Sequence, residues 1–94
     1  MLTVTGDAKR ELKRILDDRR LGAGRCLRLA IPPAWPGPGD FGIVIDEEKS
    51  DDMSVTLRGV KVLLLKQDLA PQLSTSVLDF KETPHGQAFT LDVY

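Results

Sequence analysis

The chain has 94 residues, of which 41% are hydrophobic and 29% charged, a composition typical of a globular domain rather than of a disordered segment or a fibrous repeat. This length suits one hydrophobic core, so a single domain over residues 1–94 is predicted. Thirteen basic against fourteen acidic side chains leave a formal net charge of -1. Because there is no basic excess to neutralise phosphates, nucleic acid is excluded as an expected partner.

The sequence also indicates a compartment. The first residues lack the basic segment and apolar stretch of a signal peptide, and no apolar run reaches the roughly 20 residues needed to cross a bilayer. Cys26 is the single cysteine, so it cannot form an internal disulfide, and a lone thiol is typical of a reducing compartment. We therefore expect a soluble, cytoplasmic protein without a membrane partner.

One amphipathic helix is predicted near the amino terminus, over about residues 7–20. Its apolar residues recur at helical spacing and would form one buried face, with charged residues on the others. These apolar residues are Ala8, Leu12, Ile15 and Leu16. Thr5 is predicted to cap the start of the helix, and Gly22 is predicted to stop it.

A half-buried strand and an irregular loop are predicted next. From Arg25 the period changes to two, with Leu27, Leu29 and Ile31 on one face and Cys26, Arg28 and Ala30 on the other. The segment from Pro32 to Asp40 has four prolines and two glycines in nine positions. This composition excludes a helix or ladder pairing there and predicts a loop.

A hairpin is predicted after the loop, between the strands 41–45 and 53–57, which both alternate apolar residues with others. The segment 46–52, which joins them, has five carboxylates in seven residues. It lacks the alternating Asp and the central Gly of an EF-hand loop. We therefore predict a solvated hairpin connection there rather than a cation site.

The second half of the chain is predicted to continue in strands. Arg58-Gly59 supplies a turn into the strand 60–65, whose nearly continuous apolar run is typical of a central strand buried on both faces. The segment 67–73 has helical spacing, but Pro71 near its middle limits it to a short helix.

A second hairpin is predicted at the end of the sequence. Two strands, 77–82 and 87–93, flank the segment Thr83-Pro84-His85-Gly86. Pro and Gly lie in that segment where a hairpin turn favours them.

Five segments, in this order along the chain, resemble the HesB-like family of A-type iron-sulfur carriers. They are Leu2-Thr3-Val4-Thr5 before the helix, Gly24 to Leu29, Phe41 to Asp46, Arg58 to Leu63, and Val77 to Phe80. The resemblance implies an α+β, mostly β domain. It would be a compact, partly open β-barrel or sandwich of antiparallel hairpins, with an amino-terminal helix and one short helix.

The resemblance also implies three cysteine ligands, one in a Cys-Ser-Gly loop and two in a Cys-Gly-Cys tail, since thiolates hold the iron of clusters. The loop cysteine would fall near Pro36, where this chain has none, and the tail pair would lie beyond Tyr94, where the sequence ends. We therefore expect a degenerate member without the cluster-ligating cysteines and without a cofactor. Cys26 lies at a different position, and a buried, small apolar side chain is predicted for it.

Catalysis is not expected. His85 is the single histidine, and it lies in a turn with no nearby Cys or second His, so no metal site is predicted there. Asp79 and Glu82 are the acids nearest to it in sequence. No nucleophile, Gly-rich phosphate loop or metal-ligand set accompanies them, so we expect a protein that is not an enzyme.

The proline-rich loop is the candidate partner-binding surface, through Pro33, Trp35, Pro36, Pro38 and Asp40. Pro33 to Pro36 matches the PxxP spacing of polyproline ligands, and prolines reduce the entropy lost when a loop is ordered. Trp35 would either close the core or anchor a partner, because Trp is enriched in interface hot spots.

Three classes of function stay open, and for one of them, a small enzyme, the sequence offers no nucleophile, Gly-rich phosphate loop or metal-ligand set. The other two are as follows. The first is a non-catalytic binding or adaptor protein with an unknown protein partner. The second is an iron or iron-sulfur carrier or scaffold that borrows ligands from a partner, or from Cys26 in a homodimer.

Overall fold

The computed structural model describes residues 2–20, 24–32, 35–37, 39 and 41–93. Its elements in chain order are β1 (Thr3–Val4), α1 (Gly6–Arg19), β2 (Arg25–Ala30), β3 (Gly42–Glu47), β4 (Asp52–Leu57), β5 (Val60–Lys66), a 3-10 helix (Pro71–Leu73), β6 (Ser76–Thr83) and β7 (Gly86–Val93). The strands form two mixed sheets, ordered β1-β6-β7 and β3-β2-β5-β4. The predicted α+β, mostly β fold with an amino-terminal helix is confirmed.

α1 begins and ends through its caps. The Thr5 hydroxyl accepts a hydrogen bond from the Ala8 N–H at 3.1 Å, as predicted for an N-cap. Arg20 is the C-cap instead of Gly22. It has left-handed backbone (φ 51°), and its N–H donates to the Leu16 carbonyl. α1 ends at Arg19, before the predicted stop. Gly22 itself lies outside the described residues.

The apolar face of α1 lies against the core, as predicted. Ala8 and Leu12 are fully buried, and Ile15 and Leu16 are partly buried and pack against the same cluster. The helix contacts β6 of one sheet and β2, β4 and β5 of the other. Because it touches both sheets, α1 joins them into one core. No helix in the described part of the chain is long and apolar enough to span a bilayer.

The predicted hairpin of β3 with β4 is wrong. β3 pairs antiparallel with β2, β4 pairs antiparallel with β5, and β3 and β4 lie at opposite edges of their sheet. The Arg58-Gly59 turn explains the outcome, since both residues have positive φ, 52° and 81°. A two-residue turn of that kind matches the twist of paired strands, so it closes β4 onto β5.

β5 is an inner strand between β2 and β4, as predicted, and its residues 62–65 are at most 1% exposed. Two parallel pairings were not predicted. β2 pairs with β5 through Arg28 and Leu64, and the two-residue strand β1 pairs with β6. Two residues carry too little alternation to be recognised as a strand in the sequence.

The carboxyl-terminal hairpin of β6 and β7 is confirmed, with Thr83 and Gly86 as its last pair. The short helix is confirmed too, but Pro71 is its first residue rather than its middle. That position suits proline, since the first N–H of a helix has no acceptor within the helix. The preceding residues 67–70 form turns.

Leu12→Ala should lower the free energy of unfolding by about 2–5 kcal/mol, because the side chain is fully buried and its loss leaves a cavity. Urea unfolding measures the change. Lys13→Ala is the matched control: it removes only an exposed ion pair with Asp17, so its cost should stay below about 0.5 kcal/mol. A loss of that small size for Leu12→Ala would show that the helix faces are assigned wrongly.

Candidate functional site

The inner strands of the four-stranded sheet, β2 and β5, are buried on both faces. One face belongs to the main core. The other, here called the Arg28 face, is formed by Cys26, Arg28 and Ala30 of β2 and by Leu64 of β5, each less than 9% exposed. The prediction that β2 is half-buried is therefore wrong, because β2 is an inner strand and its second face is covered as well.

Arg28 is bound by carboxylates from both edge strands. Its Nη1 and Nη2 donate to the two carboxylate oxygens of Asp52, each at 2.6 Å, and its Nε donates to Asp46 at 2.9 Å. Nη2 also donates to the Glu47 carbonyl at 3.0 Å. The Arg28 and Asp52 side chains are only 5% and 1% exposed. Bidentate geometry and further hydrogen bonds are what a buried ion pair needs to offset its desolvation.

The acidic segment 46–52 was predicted to be a solvated connection. This prediction is wrong for Asp46 and Asp52, because both bind Arg28. Asp52 pairs with Arg28 and also accepts the Lys49 N–H at 2.7 Å. The hydrogen bonds from Arg28 lower the pKa of the Asp52 carboxyl to about 2. Asp46 is 41% exposed, and its pKa is lowered by the Glu47 N–H and by positive charge nearby. Sequence reasoning missed this pair because the alternation of β2 indicates only that Arg28 faces away from the core.

Cys26 lies on the Arg28 face as a buried thiol. It is 6% exposed, and its Sγ donates to the Lys61 carbonyl at 3.5 Å. Burial raises the pKa of this thiol, so the neutral form is favoured. The predicted small, buried side chain is confirmed.

Trp35 lies over the start of β3. Its backbone N–H donates to the Ile31 carbonyl at 3.0 Å. A Cβ added at Gly42 or Gly37 would come closer than 3.0 Å to the indole ring, so only glycine lets the ring approach the backbone there. The side chain is half-buried, which places it between the two predicted extremes of core plug and exposed anchor.

Of the other four loop residues predicted to bind a partner, one is described. Pro36 is exposed. Pro33, Pro38 and Asp40 lie outside the described residues. The structure therefore places Trp35 at the start of β3 and leaves Pro36, its neighbour in the chain, exposed.

His85 and Asp79 do not form a catalytic pair. His85 is exposed, and its N–H donates to the Thr83 hydroxyl. Asp79 accepts the Thr5 hydroxyl at 2.7 Å and the Phe80 N–H, and these bonds lower its pKa. Thr83 pairs beside the turn, four residues along β6 from Asp79, a separation of about 13 Å. Asp79 therefore supports the start of α1 rather than the histidine.

Comparison with known proteins identifies the fold. No protein-family model matches the sequence, and no curated protein matches it significantly. Among solved structures, SufA of Escherichia coli, involved in biosynthesis of iron-sulfur clusters, has a TM-score of 0.67 at 23% identity, over 98% of this chain and 84% of SufA. IscA with a [2Fe-2S] cluster has a TM-score of 0.58 at 21% identity, over 99% and 82%. A protein from Aquifex aeolicus has 0.65 at 20%, over 99% and 91%.

The chain thus has the fold of the A-type iron-sulfur assembly proteins. The HesB-like resemblance predicted from the sequence is confirmed as a likeness of fold. The chain has one cysteine among its 94 residues, and that cysteine is buried on β2. It therefore fits a degenerate example of this fold, one without the set of cluster-ligating cysteines.

The Arg28–Asp52 pair predicts a loss of stability in acid. The folded pKa of Asp52, about 2, lies below its ordinary value of 3.8. Its contribution, about 2 kcal/mol, is thus complete above pH 4 and is lost as the pH falls through 2. Asp52→Asn should cost about 3 kcal/mol near pH 7, because Arg28 loses its main buried partner, and this difference should shrink towards pH 2.

Urea unfolding across this pH range measures the effect. Asp51→Asn is the control, since Asp51 is exposed and has no ion pair with another described residue. A gap between wild type and Asp52→Asn that stays constant from pH 7 to 2 would contradict the buried pair.

The packing of Trp35 on Gly42 predicts that substitution of either residue destabilises the fold. Trp35→Ala should cost about 1–3 kcal/mol, below the loss for a fully buried aromatic residue, because the ring is half-buried. Gly42→Ala should cost about 1 kcal/mol or more, since the new methyl displaces the ring. Thermal and urea unfolding measure both.

Gly6→Ala is the control for the second change, because a methyl there meets only the flexible end of Arg10, and it should not destabilise. A neutral or stabilising effect of Gly42→Ala on the free energy of unfolding would show that the Trp35 ring does not pack on β3.

Proposed function

We propose that this chain is a non-catalytic binding or adaptor protein built on the A-type fold, and that it does not hold an iron-sulfur cluster by itself. The observation that carries the proposal is the packing of Trp35 on Gly42, at the end of the loop in which the resemblance implies a cysteine ligand. An indole ring fills space there and supplies no thiolate. The residues present therefore do not fit a cluster.

Cys26 does not replace the missing ligand. Iron and clusters bind the thiolate, whereas burial favours the thiol form of Cys26, and its Sγ is already bonded to the Lys61 carbonyl. To bind iron, this strand residue would have to leave a covered face of the sheet. That change would disturb the packing around Arg28 and Leu64.

Other side chains of the described residues do not supply a metal site either. Within the described ranges there is no group of three or more His, Cys, Asp or Glu side chains that could hold a metal ion. Two acids of the segment 46–52, Asp46 and Asp52, bind Arg28 instead. The single histidine lies in the β6–β7 turn.

The residues of the loop favour contact with a protein partner. Pro36 is exposed, and Trp35 is half-buried beside it, so a partner can reach both. Proline restricts the loop before binding, which lowers the entropy cost of association. We propose the loop with Pro33, Trp35, Pro36, Pro38 and Asp40 as the contact surface, and the cytoplasm, which suits a lone thiol, as the compartment.

Anaerobic reconstitution with iron and sulfide tests the proposal. After desalting, the isolated protein should stay colourless, because one buried cysteine per chain leaves most of a cluster's coordination unfilled even when two chains meet. Visible absorbance and iron and sulfide analysis are the measurements. IscA, treated in parallel, is the positive control.

Stable absorbance with stoichiometric iron and sulfide would overturn the proposal. If Cys26→Ser then abolished it, the carrier or scaffold function would be the better account. If Cys26→Ser left it unchanged, ligands other than the thiol would have to be sought.

A further inference from the structure

β3 has a free edge. Among the described strands it pairs only with β2, from Ala30 and Gly42 to Arg25 and Glu47 without a bulge. β4, at the other edge of the sheet, has a register shift between Val55 and Thr56. Regular edge strands are templates for a further strand, whereas bulges protect an edge.

The hydrogen-bond pattern shows which groups point to the free edge. The Glu48 N–H donates to the Gly24 carbonyl at 2.9 Å, which makes these two residues a hydrogen-bonded pair. Such pairs alternate along an antiparallel ladder, so Val44 bonds to β2 and both Ile43 and Ile45 direct their N–H and C=O groups outward.

These outward groups have no partner among the described residues. The next outward residue, Glu47, is different. Its N–H donates to Asp46, and its carbonyl accepts from Arg28. The Arg28 network therefore satisfies the end of the edge and leaves its middle, at Ile43 and Ile45, open for pairing.

An apolar groove of about 610 Å³ runs along this edge. Three successive residues of β3, 43–45, line it, although their side chains alternate between faces, so the groove follows the strand's edge. The rest of the lining comes from α1, β2, β7 and the residue before β3: Ile15, Arg19, Leu27, Phe41 and Phe89. Ile45 is 42% exposed, unlike the neighbouring core side chains. The volume lies within the roughly 300–1,000 Å³ of ordinary ligand sites.

Among the described residues of the lining, Arg19 supplies the only charge. It is exposed, and it forms no ion pair with any other residue that the structure describes. A cation beside an apolar wall favours a ligand that combines apolar side chains with a carboxylate.

We propose that the edge of β3 binds an extended segment of a partner protein as an added strand. Main-chain bonds to Ile43 and Ile45 hold the segment, its apolar side chains lie in the groove, and an acidic side chain pairs with Arg19. This is the strand-addition mode of peptide recognition. The inference rests on the proposed adaptor function and specifies the chemistry of its partner.

A short segment fits the groove better than a second copy of the chain. Eight residues line it, whereas a stable interface between folded proteins takes roughly 20–30 residues on each side. A peptide needs only the strand edge and a few side-chain contacts.

Two acetylated, amidated heptapeptides test the inference, Thr-Val-Thr-Val-Thr-Glu-Thr and its reverse, one for each strand direction. Amide hydrogen exchange by NMR is the first measurement. In the free protein, the Ile43 and Ile45 N–H groups should exchange fast and that of Val44 slowly. Peptide binding should slow exchange at Ile43 and Ile45 and leave Val44 unchanged.

Charge reversal is the second measurement, by fluorescence anisotropy of labelled peptides. Arg19→Glu should weaken binding about tenfold or more and should shift the preference to peptides with Lys in place of Glu. Arg20→Glu is the matched control: it makes the same change of net charge outside the lining and should have little effect. Thermal unfolding checks that both variants fold.

Three results would overturn the inference. The first is no slowing at Ile43 and Ile45 with either peptide, and the second is binding that ignores the charge at Arg19. The third is slow exchange of these two amides in the free protein that depends on protein concentration, which would assign the edge to a second copy. None of these results touches the reconstitution experiment, so this inference can fail while the absence of a cluster stands.

Discussion

The buried ion pair between Arg28 and Asp52 is the interaction on which the four-stranded sheet depends. Only four residues, 48–51, join β3 to β4, although these strands lie at opposite edges with β2 and β5 between them. Such a connection has little slack, and no hairpin turn holds its ends together. Arg28, on the inner strand β2, binds Asp46 of β3 and Asp52 of β4 at once, so one side chain ties both edges. Its charge is offset by three hydrogen-bonding partners, and that is why an arginine is stable on a covered face.

The same interaction decides what the Arg28 face can do chemically. Two of the five carboxylates of segment 46–52, those of Asp46 and Asp52, are held by the Arg28 guanidinium. The thiol of Cys26 is buried close by in its neutral form. Burial thus withholds the Cys26 thiol as a ligand and pairing withholds the Asp52 carboxylate, and the Arg28 face stabilises the fold. The A-type architecture is retained, while the chemistry implied by the resemblance has no ligands on this face.

β3 connects the two surfaces that remain available for binding. Its first residue, Gly42, is where the ring of Trp35 rests, and its middle residues carry the open edge beside the groove. The proline-rich loop and the edge of β3 are therefore neighbours along the chain. A partner strand added to β3 would end close to the loop, so the two proposed contacts can belong to one partner.

Features that depend on the local order of residues can be predicted from the sequence. The spacing of Leu12 and its neighbours predicts the buried face of α1, Thr5 predicts its cap, and the apolar run of β5 predicts an inner strand. The turn at Arg58-Gly59 is also predicted from its residues, although the sequence does not show that it pairs β4 with β5. The absence of a cysteine from the proline-rich loop can be read directly from the sequence.

The choice of neighbouring strands and the burial of particular polar residues, in contrast, depend on long-range packing. The alternation in β3 and β4 is the same whether they pair with each other or with β2 and β5, because a strand's pattern specifies its faces and not its partner. Arg28 has the pattern of an exposed residue, and its burial depends on Asp52, 24 positions away. The free edge at Ile43 and Ile45 follows from the same choice of partners, and so does the groove beside Arg19. These features come from contacts between distant segments, which no local pattern encodes.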